Sequence, residues 1–221
     1  MNLSKYIDHT LLKATATESD VIQLCNEAKE HHFYAVCVNS CYVGLCKKEL
    51  NNSDVKIASV VGFPLGAMDT ISKITEAKEA IGHGADEIDM VINIGFLKDQ
   101  KYELVEHEIR QLKQAIGSKV LKVIIETCYL TDDEKKMATL LVVNAGADYV
   151  KTSTGFGTGG ATLEDIELMK SVTQNKIQIK ASGGIRDYET AKKYIDLGVS
   201  RIGTSNGIQI VTGQTGTTQT Y

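Results

Sequence analysis

Short apolar runs recur along the chain with Val and Ile on both parities. They are "KYIDHT" (5–10), "YAVCVN" (34–39), "KIASVVGF" (56–63), "EIDMVIN" (87–93), "LKVIIET" (121–127), "YVKTST" (149–154), "IQIKASGG" (177–184) and "RIGTS" (201–205). Apolar, β-branched residues at consecutive positions mark strands covered on both faces, as in a parallel sheet. Between these runs the apolar positions fall at three- and four-residue spacing, which predicts helices. The segment 17–32 opens on Thr17 as a possible N-cap and puts Val21, Leu24, Cys25 and Ala28 on one face. Segment 69–84 places Ile71, Ile74, Ala77, Lys78 and Ile81 at helical spacing, and 100–116, 131–146, 162–173 and 187–198 read alike.

A second regularity is a Gly-Ala-Asp turn between helix and strand. It occurs in "HGADEIDMV" (83–91) and "AGADYVKT" (145–152), with a looser version in "LGVSRIGT" (197–204). Each glycine is placed to end a helix in the left-handed conformation. Eight strands alternating with helices in 221 residues predict an α/β fold, a closed (β/α)8 TIM barrel in a single domain spanning 1–221. A doubly wound open sheet is the alternative, but it offers few places for the three glycine turns in the C-terminal half. The lone proline, Pro64 in "GFPLG", shapes a loop, and no linker divides the chain.

Composition narrows the partners. Hydrophobic residues at 43% and charged residues at 24% are ordinary for a globular chain, and the net charge of −4 argues against a nucleic-acid partner. No run approaches the ~18–20 apolar residues that span a membrane. Ser4, Lys5, Asp8 and His9 interrupt what would be a signal-peptide core, so a cytoplasmic location is expected. Five cysteines, Cys25, Cys37, Cys41, Cys46 and Cys128, are expected as free, buried thiols. With no CxxC pair and no clustered histidines, no metal is expected.

In such a barrel chemistry lies at the C-terminal strand ends. Polar residues late in the apolar runs are Asp8, Asn39, Asp89, Asn93, Lys122, Glu126, Lys151, Ser153, Lys180 and Ser182. The near-repeat "VKTSTG" (150–155) and "IKASGG" (179–184) puts Lys151 with Ser153, and Lys180 with Ser182, on one strand face each. A lone lysine at a strand end is more often a snorkelling side chain. Two in matching contexts, flanked by small residues, point inward together. Two ammonium groups in a low-dielectric interior repel, so at least one loses its proton easily. A lysine of ordinary pKa is neutral in only about 1 in 2500 molecules at pH 7, whereas one lowered to ~7.5 is about a quarter neutral. A neutral amine adds to a carbonyl, and the imine that follows is an electron sink.

Asp89, between Ile88 and Met90, is either half of a simple ion pair with an inward lysine or a proton-transfer group holding Lys180 or a water. Lys122 and Glu126 share parity and are expected to pair beside the site. Cys37 either lines the pocket or packs in the core. The turns "STG" (153–155), "SGG" (182–184) and "GTSNG" (203–207) bring backbone N–H groups close to an anion, with Thr154–Gly155 beginning the cradle. Arg186 either supports that anion or starts a helix exposed.

At these residues the sequence resembles deoxyribose-phosphate aldolase, a class I aldolase family. The matching stretches are "IDHTLL" (7–12), "VVGFPLG" (60–66), "GADEIDMVIN" (84–93), "KVIIET" (122–127), "GADYVKTSTGF" (146–156), "KASGGIR" (180–186) and "RIGTS" (201–205), nearly the whole chain. The resemblance implies a metal-free, cofactor-free barrel that reversibly cleaves 2-deoxy-D-ribose 5-phosphate to D-glyceraldehyde 3-phosphate and acetaldehyde. It assigns Lys151 to the Schiff base, Lys180 to tuning it and relaying protons, and Asp89 to the same relay. It assigns Gly155, Gly183, Gly184, Gly203 and Ser205 to phosphate, and Tyr221 to enamine protonation. Asn206 departs from the family's small residue or serine. The polar tail 213–221 is expected to be mobile, so Tyr221 must fold back to reach the site. The partners implied are a phosphorylated sugar and acetaldehyde, with a homo-oligomeric dimer or tetramer. Another class I aldolase of a phosphorylated sugar, and a non-catalytic sugar-phosphate-binding barrel, are the alternatives.

Overall fold

Eight strands close on themselves in sequence order, β1-β2-β3-β4-β5-β6-β7-β8, with β1 pairing in parallel to both β2 and β8. This closure, seen in a computed structural model that describes residues 2–213, excludes the open sheet. The strands are β1 (Ile7–Leu11), β2 (Ala35–Val38), β3 (Lys56–Val61), β4 (Glu87–Val91), β5 (Val120–Ile124), β6 (Tyr149–Lys151), β7 (Gln178–Ser182) and β8 (Arg201–Thr204). The helices are α1 (Glu18–Glu30), α2 (Val43–Glu49), α3 (Thr70–Gly82), α4 (Ile94–Lys98), α5 (Tyr102–Ile116), α6 (Asp132–Asn144), α7 (Leu163–Thr173), α8 (Tyr188–Asp196) and α9 (Gly207–Thr212). Tyr221, with the tail beyond Gly213, lies outside the described residues.

Local chemistry starts the helices. Thr17 and Thr131 form capping boxes with Asp20 and Glu134, and Asp69, Thr162 and Asp187 accept hydrogen bonds from first-turn N–H groups. Gly84, Gly146 and Gly198 stand at φ +113°, +78° and +99°, as the turn pattern requires. The short helices α2 and α4 lack a full amphipathic period and escape a reading by periodicity.

Three expectations need correction. Most apolar runs overshoot their strands at the C-terminal end: 149–154 is strand only to Lys151, and 121–127 only to Ile124. There the chain leaves the sheet to build the mouth of the barrel. The inner face of α3 carries Lys73, Ala77 and Ala80, while Ile71 is 68% exposed. Lys73 turns the helix, since its Nζ donates to Val91 O and Glu108 Oε2, both at 2.9 Å, under the end of β4. Cys41 is exposed rather than buried, and Cys128 is half-buried.

The two sides of the barrel wall differ in chemistry. Outward residues such as Val36, Ile88, Met90, Val123, Val150, Ile179 and Ile202 join the helices in one large apolar cluster. The inward apolar cluster is small: Leu12, Cys37, Ala58 and Val60, with Phe63 against them. Charged residues occupy the rest of the interior.

Candidate active site

Alternation along the strands aims every second side chain into the barrel. β4 thereby presents Glu87 and Asp89, and β1 presents Asp8. β5, β6, β7 and β8 present Lys122, Lys151, Lys180 and Arg201. Register places Asp89 beside Lys122, Lys151 beside Lys180, and Lys180 beside Arg201.

Asp89 is the hub. Its Oδ2 accepts from Lys151 at 2.8 Å and from Lys180 at 2.7 Å, and its Oδ1 accepts from Lys122 at 2.7 Å. Lys180 also donates to Asp8. Asp8 accepts from Arg201 Nε at 2.7 Å, and Glu87 accepts from Lys122 and Arg201. The Arg201 guanidinium lies 3.5 Å from the Tyr34 ring centroid. Of the three lysines, Lys151 keeps 3% of its surface exposed, while Lys122 and Lys180 keep none.

Electrostatics separates the lysines further. Burial pulls the Lys151 amine below its ordinary value; Asp89 opposes this, and the Lys180 charge adds to it. Burial acts on Lys180 too, but Asp8 and Asp89 override it and hold that amine above its ordinary value. Lys122 is likewise raised: Asp89, Glu87 and Asp8 outweigh burial and the Lys180 charge. Asp89 itself is held well below the usual carboxylate range, because Lys122, Lys151 and Lys180 outweigh its burial. At rest, therefore, the interior holds the two amines apart, Lys151 lowered and Lys180 raised.

Past the C-terminal ends of β6, β7 and β8, Gly155, Gly183, Gly184, Arg186 and Ser205 line one cavity of about 170 Å³ with Asn206 and residues 157–160. Gly183 and Gly184 adopt φ +85° and +79°. Of the stretch 156–160, to which the sequence assigns no role, residues 157–160 form part of the wall. A Cβ on Gly160 would stand 2.3 Å from Gly183 O, and Ala161 N donates to Ser182 O and Gly183 O at 3.1 Å. Only glycine permits that approach. Gly203 does not line this cavity. It sits inside β8, where a Cβ would meet Lys180 Cε at 3.1 Å, and so makes room for the lysine.

Several assignments shift. Glu126 does not pair with Lys122. β5 ends at Ile124, and Glu126 adopts φ +53°, which turns its carboxylate to Thr154. There it accepts from the Thr154 hydroxyl and from Thr154 N at 3.1 Å, and burial pushes its carboxyl up. Thr154 in turn accepts from Phe156 N at 3.0 Å, so its side chain orders the cradle loop rather than entering the cavity. Asn93 caps α4, accepting from Phe96 N, and stands outside the site. Cys37 is buried on the apolar side of the interior, within the field of Lys151, with its thiol pushed up by burial. Ser182 donates to Ser153 O at 2.6 Å and ties the two turns together. Glu87 and Arg201 sat unassigned inside matching motifs. Their signal, a charged residue at an inward parity position, was present but unpaired in sequence.

The chain matches the family model described as DeoC/LacD family aldolase over residues 3–211. It is 59% identical over 213 residues to the deoxyribose-phosphate aldolase of Finegoldia magna, covering 96% of this chain and 100% of that one. Among solved structures, an aldolase called QR15 superimposes with TM-score 0.93 at 43% identity, covering 96% of this chain and 95% of that one. The tetrameric deoxyribose phosphate aldolase of Aeropyrum pernix gives 0.87 at 32%, covering 95% and 89%.

Proposed function

The chain belongs to the DeoC/LacD family of aldolases, and from that premise we propose that it works through a Schiff base on Lys151. It is a class I aldolase that reversibly cleaves 2-deoxy-D-ribose 5-phosphate to D-glyceraldehyde 3-phosphate and acetaldehyde. The observation that carries the assignment is the pair of lysines on one Asp89 oxygen, one amine lowered and the other raised.

Neutral Lys151 adds to the aldehyde carbon of the open-chain sugar. As the carbinolamine loses hydroxide, the Lys180 ammonium supplies the proton that makes it water. An iminium now carries the positive charge on Lys151, and Lys180 is neutral. Lys180, held by Asp89 and acting directly or through a water, then takes the C3 hydroxyl proton. The C2–C3 bond breaks, its electrons enter the iminium, and glyceraldehyde 3-phosphate leaves. Lys180 protonates the enamine at C2, and hydrolysis of the resulting iminium releases acetaldehyde, restores neutral Lys151 and returns the proton to Lys180. Each proton that Lys180 gives it later recovers, so the interior keeps its charge through cleavage. The backbone of Gly155, Gly183 and Gly184, with Ser205 and Arg186, holds the phosphate. No metal or organic cofactor enters the scheme.

We read the assembly as a homo-oligomer, dimer or tetramer. Leu65, Met68 and Ile71, exposed on the β3–α3 connection and the start of α3, support it, and sedimentation velocity tests it. Among the described residues no helix is long and apolar enough to cross a membrane, and all five cysteines are free thiols, which supports the cytoplasm. Deoxyribose-phosphate cleavage coupled to detection of glyceraldehyde 3-phosphate tests the activity. Turnover abolished in Lys151→Ala is the expected result; equal turnover in the variant would refute the assignment.

A further inference from the structure

The lysines of the site belong to a larger bonded set. Seven ionisable groups touch one another inside the barrel: Asp8, Glu87 and Asp89, against Lys122, Lys151, Lys180 and Arg201. All are 3% exposed or less. Counted over those groups, three carboxylates face four bases. Buried this deeply, an unpaired charge is costly, so one base is surplus.

Three of the seven do not belong to the reacting layer. Glu87 lies one inward position before Asp89 on β4. Arg201 bridges Glu87 and Asp8 with its guanidinium stacked on Tyr34. Lys122 joins Glu87 to Asp89. None contacts Lys151. The guanidinium is never surplus, because arginine does not deprotonate in proteins. Lys122 pairs with three carboxylates and Lys180 with two, whereas Lys151 pairs with one. The least-held base is the one that loses its proton.

We propose that Glu87, Lys122 and Arg201 are positioning residues that fix which lysine is neutral, by matching three carboxylates with three cations and leaving Lys151 as the fourth base. This rests on Lys151 being the attacking amine. The other groups facing that amine are Asp89 from β4, Lys180 from β7, Cys37 from β2 and Glu126 beyond β5, with Asp8 from β1 reaching it only through Lys180. Cys37 is neutral, its thiol pushed up by burial; Glu126 forms no ion pair with any of the seven, its carboxyl bonded to Thr154 and pushed up by burial, and so stands outside the bonded set. The direction of the Lys151 shift agrees with the count, as do the opposite directions at Lys122 and Lys180.

The count predicts opposite signs for two changes that a merely structural role does not separate. Lys122→Met removes a cation, so Lys151 takes the vacant charge and its titration moves to higher pH. Glu87→Gln removes an anion, so Lys151 loses its proton more easily and its titration moves to lower pH. Each shift is about one pH unit, as unit charges roughly 10 Å apart produce at an effective dielectric of about 20. The combined variant restores the count and the native midpoint.

The experiment measures the initial rate of cyanoborohydride-trapped acetaldehyde adduct on Lys151 against pH, by mass spectrometry, in the native enzyme and the three variants. Opposite shifts that cancel in the double variant support the proposal. Shifts of the same sign, or none, overturn it while leaving Lys151 as the nucleophile. Absence of any Lys151 adduct in the native enzyme overturns the Schiff-base reading and this inference with it. Should the variants not fold, side-chain Nζ resonances of lysine in the native protein decide. Lys122 and Lys180 should remain ammonium where Lys151 titrates, and either of them titrating first contradicts the count.

Discussion

The inner and outer faces of the same eight strands carry opposite chemistries. Along β4, Ile88 and Met90 face the helices while Glu87 and Asp89 face the barrel axis, all four buried. The outer face is a continuous apolar layer, and apolar burial there contributes ~25 cal/mol per Å² without regard to direction. The inner face holds seven ionisable groups, and each charge among them costs several kcal/mol to desolvate, recovered only through close pairing. Barrel interiors are ordinarily filled by branched apolar side chains. Here that arrangement survives only around Leu12, Cys37, Ala58 and Val60. The difference separates what holds the fold from what the proposed reaction uses: the outer layer stabilises a cage around the ionisable groups of the interior.

Substitutions on the two faces should therefore fail in different ways. The largest effect is expected at Lys151→Ala, with kcat/KM down about 10⁴-fold or more and thermal unfolding little changed, as when a covalent nucleophile is removed. Lys180→Leu should lower kcat by about 10²–10⁴-fold, the range for a proton-transfer group. Its affinity for inorganic phosphate, read by calorimetry, should stay native. On the outer face Ile88→Ala should reverse the pattern. It should lose about 2–5 kcal/mol of stability in denaturant titration, with kcat at 25 °C near native in the folded protein. A variant at Ile88 that kept its stability but lost kcat would break the comparison. The smallest effect belongs to the rim: Arg186→Ala should raise KM for the phosphorylated sugar a few-fold, roughly one charge-assisted hydrogen bond, and leave kcat alone.

The same contrast governs what the sequence discloses. The outer face is legible because burial depends on residue type, and Val and Ile at both parities announce a parallel strand wherever it pairs. Gly84, Gly146 and Gly198 are legible because a helix end requires positive φ locally. The two site lysines are legible through their near-repeated surroundings. What escapes is pairing at a distance. Arg201 meets Glu87 across 114 positions, and Lys180 meets Asp8 across 172. No local pattern encodes such contacts, so Glu87 and Arg201 read only as charges in strands. Glu126 misleads for the opposite reason: its parity with Lys122 is real in sequence, but the strand ends at Ile124 and the left-handed turn carries the carboxylate to Thr154. The turn of α3 by Lys73 is hidden in the same way, since its partner Glu108 is supplied by another helix.

The central claim is that one of three inward lysines is a nucleophile because the interior leaves it neutral. Mapping the borohydride-reduced adduct formed with deoxyribose phosphate, by peptide mass spectrometry, tests it most directly. The account predicts a single adduct on the peptide bearing Lys151, with Lys122 and Lys180 unmodified. An adduct on Lys180, or none on any lysine under turnover conditions, would contradict it.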